Sequence, residues 1–128
     1  MTRALADTSI FIARESGRPI DKSMIPAELA ISVVTYGELR AGLLAAHDLA
    51  TREIRLATLM QAATLQPVPI DERVADAWAA LRIRLRDAGR TMKVNDAWIA
   101  ATALALGVPV LTQDDDYRGV PSLEVIRV

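Results

Sequence analysis

The sequence contains no cysteine, which excludes disulfides and every thiolate metal site. It contains a single histidine, His47. Any metal site therefore has to be built from oxygen ligands, and such sites suit Mg²⁺ or Mn²⁺. No apolar run reaches the length needed to span a bilayer. A secretory signal is not expected, because the opening Met-Thr-Arg-Ala-Leu-Ala-Asp meets an acid too early. A cytoplasmic location without a membrane partner is the resulting expectation. Lysine is scarce: Lys22 and Lys93 are the two among 15 basic residues, and the other thirteen are arginines. Arginine's planar fork suits phosphates, and it suits carboxylates equally well. The net charge of −1 argues against a generic nucleic-acid coat protein.

What is present fits a layered fold. At 128 residues and 52% hydrophobic content, the chain reads as one domain, 1–128, with a well-covered core. Ala4-Leu5-Ala6 reads as a first strand, followed by a helix through Ile10–Ala13. Gly17 to Pro26 is loop-like. Leu29–Val34 is a β-branched run that reads as a second strand. The residues after it, Thr35 and Glu38, match a capping box at the start of the next helix. Glu53–Ala63 is amphipathic. Leu65–Ile70 reads as a third strand, at an edge because of its two prolines. Asp71 caps a long helix with the stripe Val74, Trp78, Leu81 and Leu85, ended by Gly89. Arg82, Arg86 and Arg90 share a face of it, either as a solvated face or as a contact for phosphates.

The stretch from Lys93 to Tyr117 organises the rest. Asn95-Asp96 opens a run that is apolar on nearly every face, as in a buried helix. Gly107 stops it. Val110-Leu111 is a short buried strand, after which Asp114, Asp115 and Asp116 stand in a row. Leu123–Val128 is a final strand. Alternating strands and helices predict a parallel sheet with helices on both faces.

In such a sheet, Asp7, Glu38 and Asp114 follow strand exits, so they face one edge. Asp96 reaches that edge if its helix runs antiparallel to the strands. Taken singly, each acid can be a helix cap. Together they are carboxylates that repel one another unless a divalent cation joins them. Two cations about 3.5–4 Å apart can activate water and stabilise a leaving oxygen.

Four segments carry a family resemblance. Asp7-Thr8-Ser9-Ile10, Thr35-Tyr36-Gly37-Glu38-Leu39, Asn95-Asp96-Ala97-Trp98-Ile99-Ala100-Ala101-Thr102-Ala103 and Leu111-Thr112-Gln113-Asp114-Asp115-Asp116-Tyr117 resemble, in order, the acidic blocks of PIN domains. Length and block spacing are most similar to the VapC toxins of toxin–antitoxin pairs. The resemblance implies an α/β fold, a three-layer α/β/α sandwich around a short parallel sheet. It implies an endoribonuclease dependent on Mg²⁺ or Mn²⁺. By position, Asp7, Glu38, Asp96 and Asp114 match the family's catalytic and metal-binding acids, and Asp116 a frequent fifth, with Asp115 as its competitor. Thr8, Ser9 and Thr112 fall where the family places hydroxyls. Tyr117 departs from the usual Phe. The implied partners are an RNA substrate, a small VapB-type antitoxin protein and a second copy of the chain as a homodimer. The surplus Leu, Ile and Met between Thr35 and Ala63 fits a partner surface. Two other readings are a PIN-like metal- or RNA-binding module without catalysis, and a receiver-like phospho-acceptor domain. The intact acid set disfavours the first. The second wants a lysine after a late strand, and none follows Val110-Leu111.

Overall fold

The computed structural model describes residues 3–128. In chain order the elements are β1 (Arg3–Ala6), α1 (Thr8–Ser16), β2 (Glu28–Ala30), α2 (Val33–Ala45), α3 (Leu49–Ala63), α4 (Glu72–Asp87), α5 (Val94–Leu106), β3 (Val110–Thr112) and β4 (Val125–Arg127). A single 3₁₀ turn, Lys22–Met24, capped by Asp21, lies in the loop after α1. The strands form one sheet in the order β2-β1-β3-β4, with every pairing parallel.

Strand periodicity divides the core into two layers. Successive side chains of a strand point to opposite faces. On β1, Ala4 and Ala6 pack with Ile10 and Phe11 of α1, Leu39 and Leu43 of α2, and Leu59 of α3. Leu5 points the other way, into Leu81 and Leu85 of α4, Ile99 of α5 and Tyr117. On β3 the division repeats, with Leu111 in the first layer and Val110 in the second. The expected three-layer α/β/α sandwich is what forms: α1 to α3 cover one face and α4 and α5 the other.

Local chemistry sets the element boundaries. Asp7, Asp48 and Asp71 accept backbone N–H groups at the starts of α1, α3 and α4, satisfying donors that a helix start leaves free. Gly107 ends α5 with a φ of 68°, in the left-handed region that glycine enters without a Cβ clash.

Three expectations are corrected. The run Leu29–Val34 is not one strand. Pairing with β1 stops at Ala30, and Ser32 caps α2 by accepting from Val34 N. Thr35 is therefore already helical and buried, and Thr35 and Glu38 form no capping box. Leu65–Ile70 is not a strand either. Gln66 has a φ of 52°, prolines flank Val68, and only one bridge forms, between Ser32 and Val68. Proline offers no N–H to continue a ladder. Finally, α3 begins at Leu49, four residues before Glu53, because Asp48 supplies its cap.

Candidate active site

The chain leaves β1 to one side for β2, then returns to the other side of β1 for β3. The order therefore reverses between β1 and β3, and a crevice opens outside their carboxyl ends. Asp7 is the residue that follows β1. Asp114 follows β3 by two positions. Asp96 lies in the first turn of α5, and Glu38 in the second turn of α2. One pocket is lined by Asp7, Glu38, Asp96, Asp114 and Asp116 together, so the convergence expected from strand exits is present.

Asp7 is the fixed point of this pocket. It is 3% exposed. Its Oδ1 accepts from Ser9 N at 3.1 Å and Ser9 Oγ at 2.5 Å, and its Oδ2 accepts from Thr112 Oγ1 at 2.7 Å. The two hydroxyls are themselves tied to the loop after β3. Thr112 Oγ1 accepts from Asp114 N at 2.9 Å, and Ser9 Oγ from Gln113 N at 2.9 Å. Asp7 is thus both helix cap and pocket floor. Burial pushes its pKa up from 3.8 to about 6, the Ser9 and Thr112 hydrogen bonds oppose this, and repulsion from Asp114 and Asp96 adds to it.

The other acids are more open. Glu38 Oε1 accepts from Thr8 Oγ1 at 2.7 Å, and Thr8 Oγ1 also lies 3.1 Å from Thr35 Oγ1. Asp96 Oδ1 accepts from the hydroxyl of Tyr117 at 3.3 Å. Burial raises the pKa of Asp96, repulsion from Asp116 adds to this, and Lys93 opposes it. Tyr117 is fully buried. Burial pushes its phenol far above the ordinary range, with the charges of Asp7 and Asp96 adding to that. The hydroxyl therefore stays protonated as a donor to Asp96, an interaction the usual Phe at this position cannot make.

Asp115 and Asp116 face different neighbours. Asp116 lines the pocket and pairs with Lys93 at 3.7 Å. Asp115 pairs with Arg127 at 3.1 Å and Arg118 at 3.8 Å, outside the pocket. Two cations on the pocket wall, Arg18 and Lys93, escaped the sequence reading. Arg18 sits in an irregular loop, and Lys93 precedes α5 without making a side-chain cap, so neither has a local signature. His47 is exposed beyond the end of α2 and does not line the pocket.

The donor set fits a hard divalent cation. All five carboxylates offer oxygen, and burial, with repulsion among the acids adding to it, already raises the pKa values of Asp7 and Asp96. Among the described residues, no group of three acids is drawn together tightly enough to hold an ion as the side chains stand. Asp7 is locked by three hydrogen bonds. Glu38, Asp96 and Asp114 are partly exposed, and these are the side chains that rotation can bring inward.

The PIN domain model matches residues 4–123. The chain is 50% identical over 125 residues to "Ribonuclease VapC5" of Mycobacterium tuberculosis, covering 95% of this chain and 93% of that one. It is 47% identical over 126 residues to "Ribonuclease VapC4" of the same organism, covering 98% and 97%. Among solved structures, it superposes with a TM-score of 0.90 and 44% identity, over 100% of both chains, on a member of the VapBC family of toxin–antitoxin systems, VapBC-5, also from Mycobacterium tuberculosis.

Proposed function

Since the chain belongs to the PIN domain family, we propose that it is an endoribonuclease that works with Mg²⁺ or Mn²⁺ as the toxin of a toxin–antitoxin pair. The observation that carries this reading is the meeting of five carboxylates on one pocket at the sheet's switch point. The ribonuclease names of relatives at 50% and 47% identity support RNA as the substrate.

Asp7, Glu38, Asp96 and Asp114 would hold the cation, with Asp116 at the rim. A divalent cation in such a site neutralises charge on a scissile phosphate and makes a coordinated water acidic enough to attack near neutral pH. The chain's own part is positional. Ser9 and Thr112 hold the Asp7 carboxylate in one orientation. Thr8 orients Glu38, and Tyr117 orients Asp96. Arg18 and Lys93 line the pocket with positive charge for the phosphate's oxygens. A coordinated water would supply the nucleophile in this reading, so no protein nucleophile is needed, and among the described residues no histidine lines the pocket to act as a base.

A VapB-type antitoxin is the proposed partner. The solved relative at 44% identity is a member of the VapBC toxin–antitoxin family. In the present chain, Leu44, Leu49, Ile54, Leu56 and Met60 on and around α2 and α3 are 45–73% exposed. A separate groove between α1, α2 and α3, lined by Ile12, Leu39, Gly42 and Arg55, reaches Glu38. Exposed apolar residues of that kind mark a binding face, and a segment laid in the groove would contact Glu38 and cover the acids.

The test is cleavage of a mixed RNA pool by purified protein in Mg²⁺, in Mn²⁺ and in chelator. Cleavage confined to the divalent conditions, and lost in Asp96→Asn, supports the reading. No cleavage under any condition turns the assignment toward a non-catalytic binding module.

A further inference from the structure

A second groove lies beside the acid pocket, between the C-terminal half of α4 and the segment leading into α5. Arg82, Arg86 and Arg90 line it, and no acid does. The guanidinium of Arg82 lies 4.9 Å above the ring of Trp78. The other face of Trp78 is stacked on Trp98, with centroids 4.5 Å apart and planes within 3°. Both faces of Trp78 are thus occupied. The indole pair does not offer a free platform for a base. It holds the Arg82 guanidinium against the ring.

Arg90 joins this groove to the acids. Its Nη2 donates to the backbone oxygen of Asp116 at 3.3 Å, and Asp116 lines the acid pocket. Arg90 also rests on Gly119. A Cβ there would come within 2.9 Å of its Nη1, and Gly119 has a φ of 71°. The loop after β3 therefore seats Arg90 at the junction. Arg86 and Asp87 form an exposed pair at 3.3 Å, which screening leaves weak and easily exchanged for a phosphate.

We propose that this groove is the track along which the phosphates of single-stranded RNA run into the acid pocket, with Arg82, Arg86 and Arg90 as successive phosphate contacts. The inference rests on the ribonuclease reading and deepens it by naming the substrate's path. A positive groove joined to a negative pocket through Arg90 suits a polyanion whose scissile phosphate is met by a cation-filled site and whose neighbours are not. Trp78 positions Arg82 and makes no direct contact with substrate.

The experiment measures binding of a labelled mixed-sequence single-stranded RNA in chelator, from low to moderate salt, for the parent, Arg82→Ala/Arg86→Ala, and Arg3→Ala as a control. Arg3 begins β1, at the end of the strands away from the acids. Removing one phosphate-binding arginine should reduce the slope of log affinity against log salt by about 0.7. The double variant should therefore lose about 1.4 and bind at least about tenfold more weakly, while Arg3→Ala matches the parent. Because the chain's two tryptophans are the stacked pair, RNA should also change the parent's tryptophan fluorescence. Trp78→Phe, with less π surface beneath Arg82, should weaken RNA binding without unfolding. In Mg²⁺ the double variant should raise KM for RNA and leave kcat nearly unchanged. An unchanged slope, or no RNA binding by the parent at low salt, overturns the track. An unchanged slope with an altered oligomeric state gives the face to a protein partner and overturns it equally. If the parent cleaves RNA in Mg²⁺ while the slope is unmoved, the track fails and the ribonuclease reading stands. If the slope falls as expected but no RNA is cut, the failure belongs to the catalytic reading.

Discussion

Replacing Asp7 with Asn should make the metal-free protein more stable at neutral pH. Asp7 is 3% exposed, and its pKa rises from 3.8 to about 6, chiefly through burial. A pKa raised in the folded state means that the fold prefers the protonated form. The contribution of Asp7 to stability is then most favourable below pH 3.8, falls as pH rises through the interval to about 6, and stays low above it. At about 1.4 kcal/mol per pH unit, the ionised carboxylate costs the fold about 3 kcal/mol at pH 7. Asparagine carries no charge and avoids that cost. Its oxygen can still accept from Ser9, but its amide meets Thr112 Oγ1, which now donates to Asp7 at 2.7 Å. Thr112 has to turn its proton toward Ser9 Oγ, 3.3 Å away. That rearrangement costs about 1 kcal/mol. The net gain expected for Asp7→Asn is therefore about 2 kcal/mol at pH 7, and the sign should reverse toward pH 4. The assay is urea unfolding of both proteins in chelator across pH 4 to about 8, read as the difference between them so that titrations elsewhere cancel. A difference that does not change with pH would refute the claim that a buried, disfavoured charge sits at position 7.

Further outcomes follow from the same geometry. Millimolar Mg²⁺ or Mn²⁺ should stabilise the parent by mass action, about 2.7 kcal/mol at a hundred times its Kd, and Asp96→Asn should lose most of that response in a thermal melt. Glu38→Gln should melt within a degree or two of the parent, because Ser32 and not Glu38 caps α2, yet RNA cleavage in Mg²⁺ should fall at least about a hundredfold, on the order of one lost transition-state interaction. Ser32→Ala should show the converse, losing about 1 kcal/mol of stability with its cap while keeping cleavage per folded molecule. Tyr117→Phe removes a donor that lowers the pKa of Asp96, so that pKa should rise, and only slightly, since the hydrogen bond is long at 3.3 Å; carboxyl resonances followed by NMR would check this.

Much of the site was legible because parallel sheets constrain where strand exits point. Ala4–Ala6, Val110-Leu111 and the apolar run from Ala97 each carry an unambiguous hydrophobic pattern, and the acids beside them had to share an edge once the strands were parallel and the helix returned antiparallel to them. The errors came where one residue type served two signals. Ile31 to Val34 is as β-branched as a strand, but Ser32 accepts the N–H of Val34 and starts a helix there. A cap three residues early turns the Thr35–Glu38 pair from a helix start into a helix interior, and leaves Glu38 free to face Thr8. In Leu65–Ile70 the hydrophobic run was real, but its prolines and the left-handed Gln66 prevented more than one bridge. The direction of Asp115 could not be read from three consecutive aspartates. It depends on Arg127, brought alongside by the pairing of β3 with β4.

The central claim is that Asp7, Glu38, Asp96 and Asp114 share a divalent cation. Its most direct test is a crystal grown or soaked with Mn²⁺ and measured for anomalous scattering. The account predicts a peak in the pocket between Asp7, Glu38, Asp96 and Asp114, within about 2.0–2.3 Å of their oxygens, and no peak there in Asp96→Asn. A protein that cleaves RNA in Mn²⁺ with its only peak elsewhere, or with none, would contradict it.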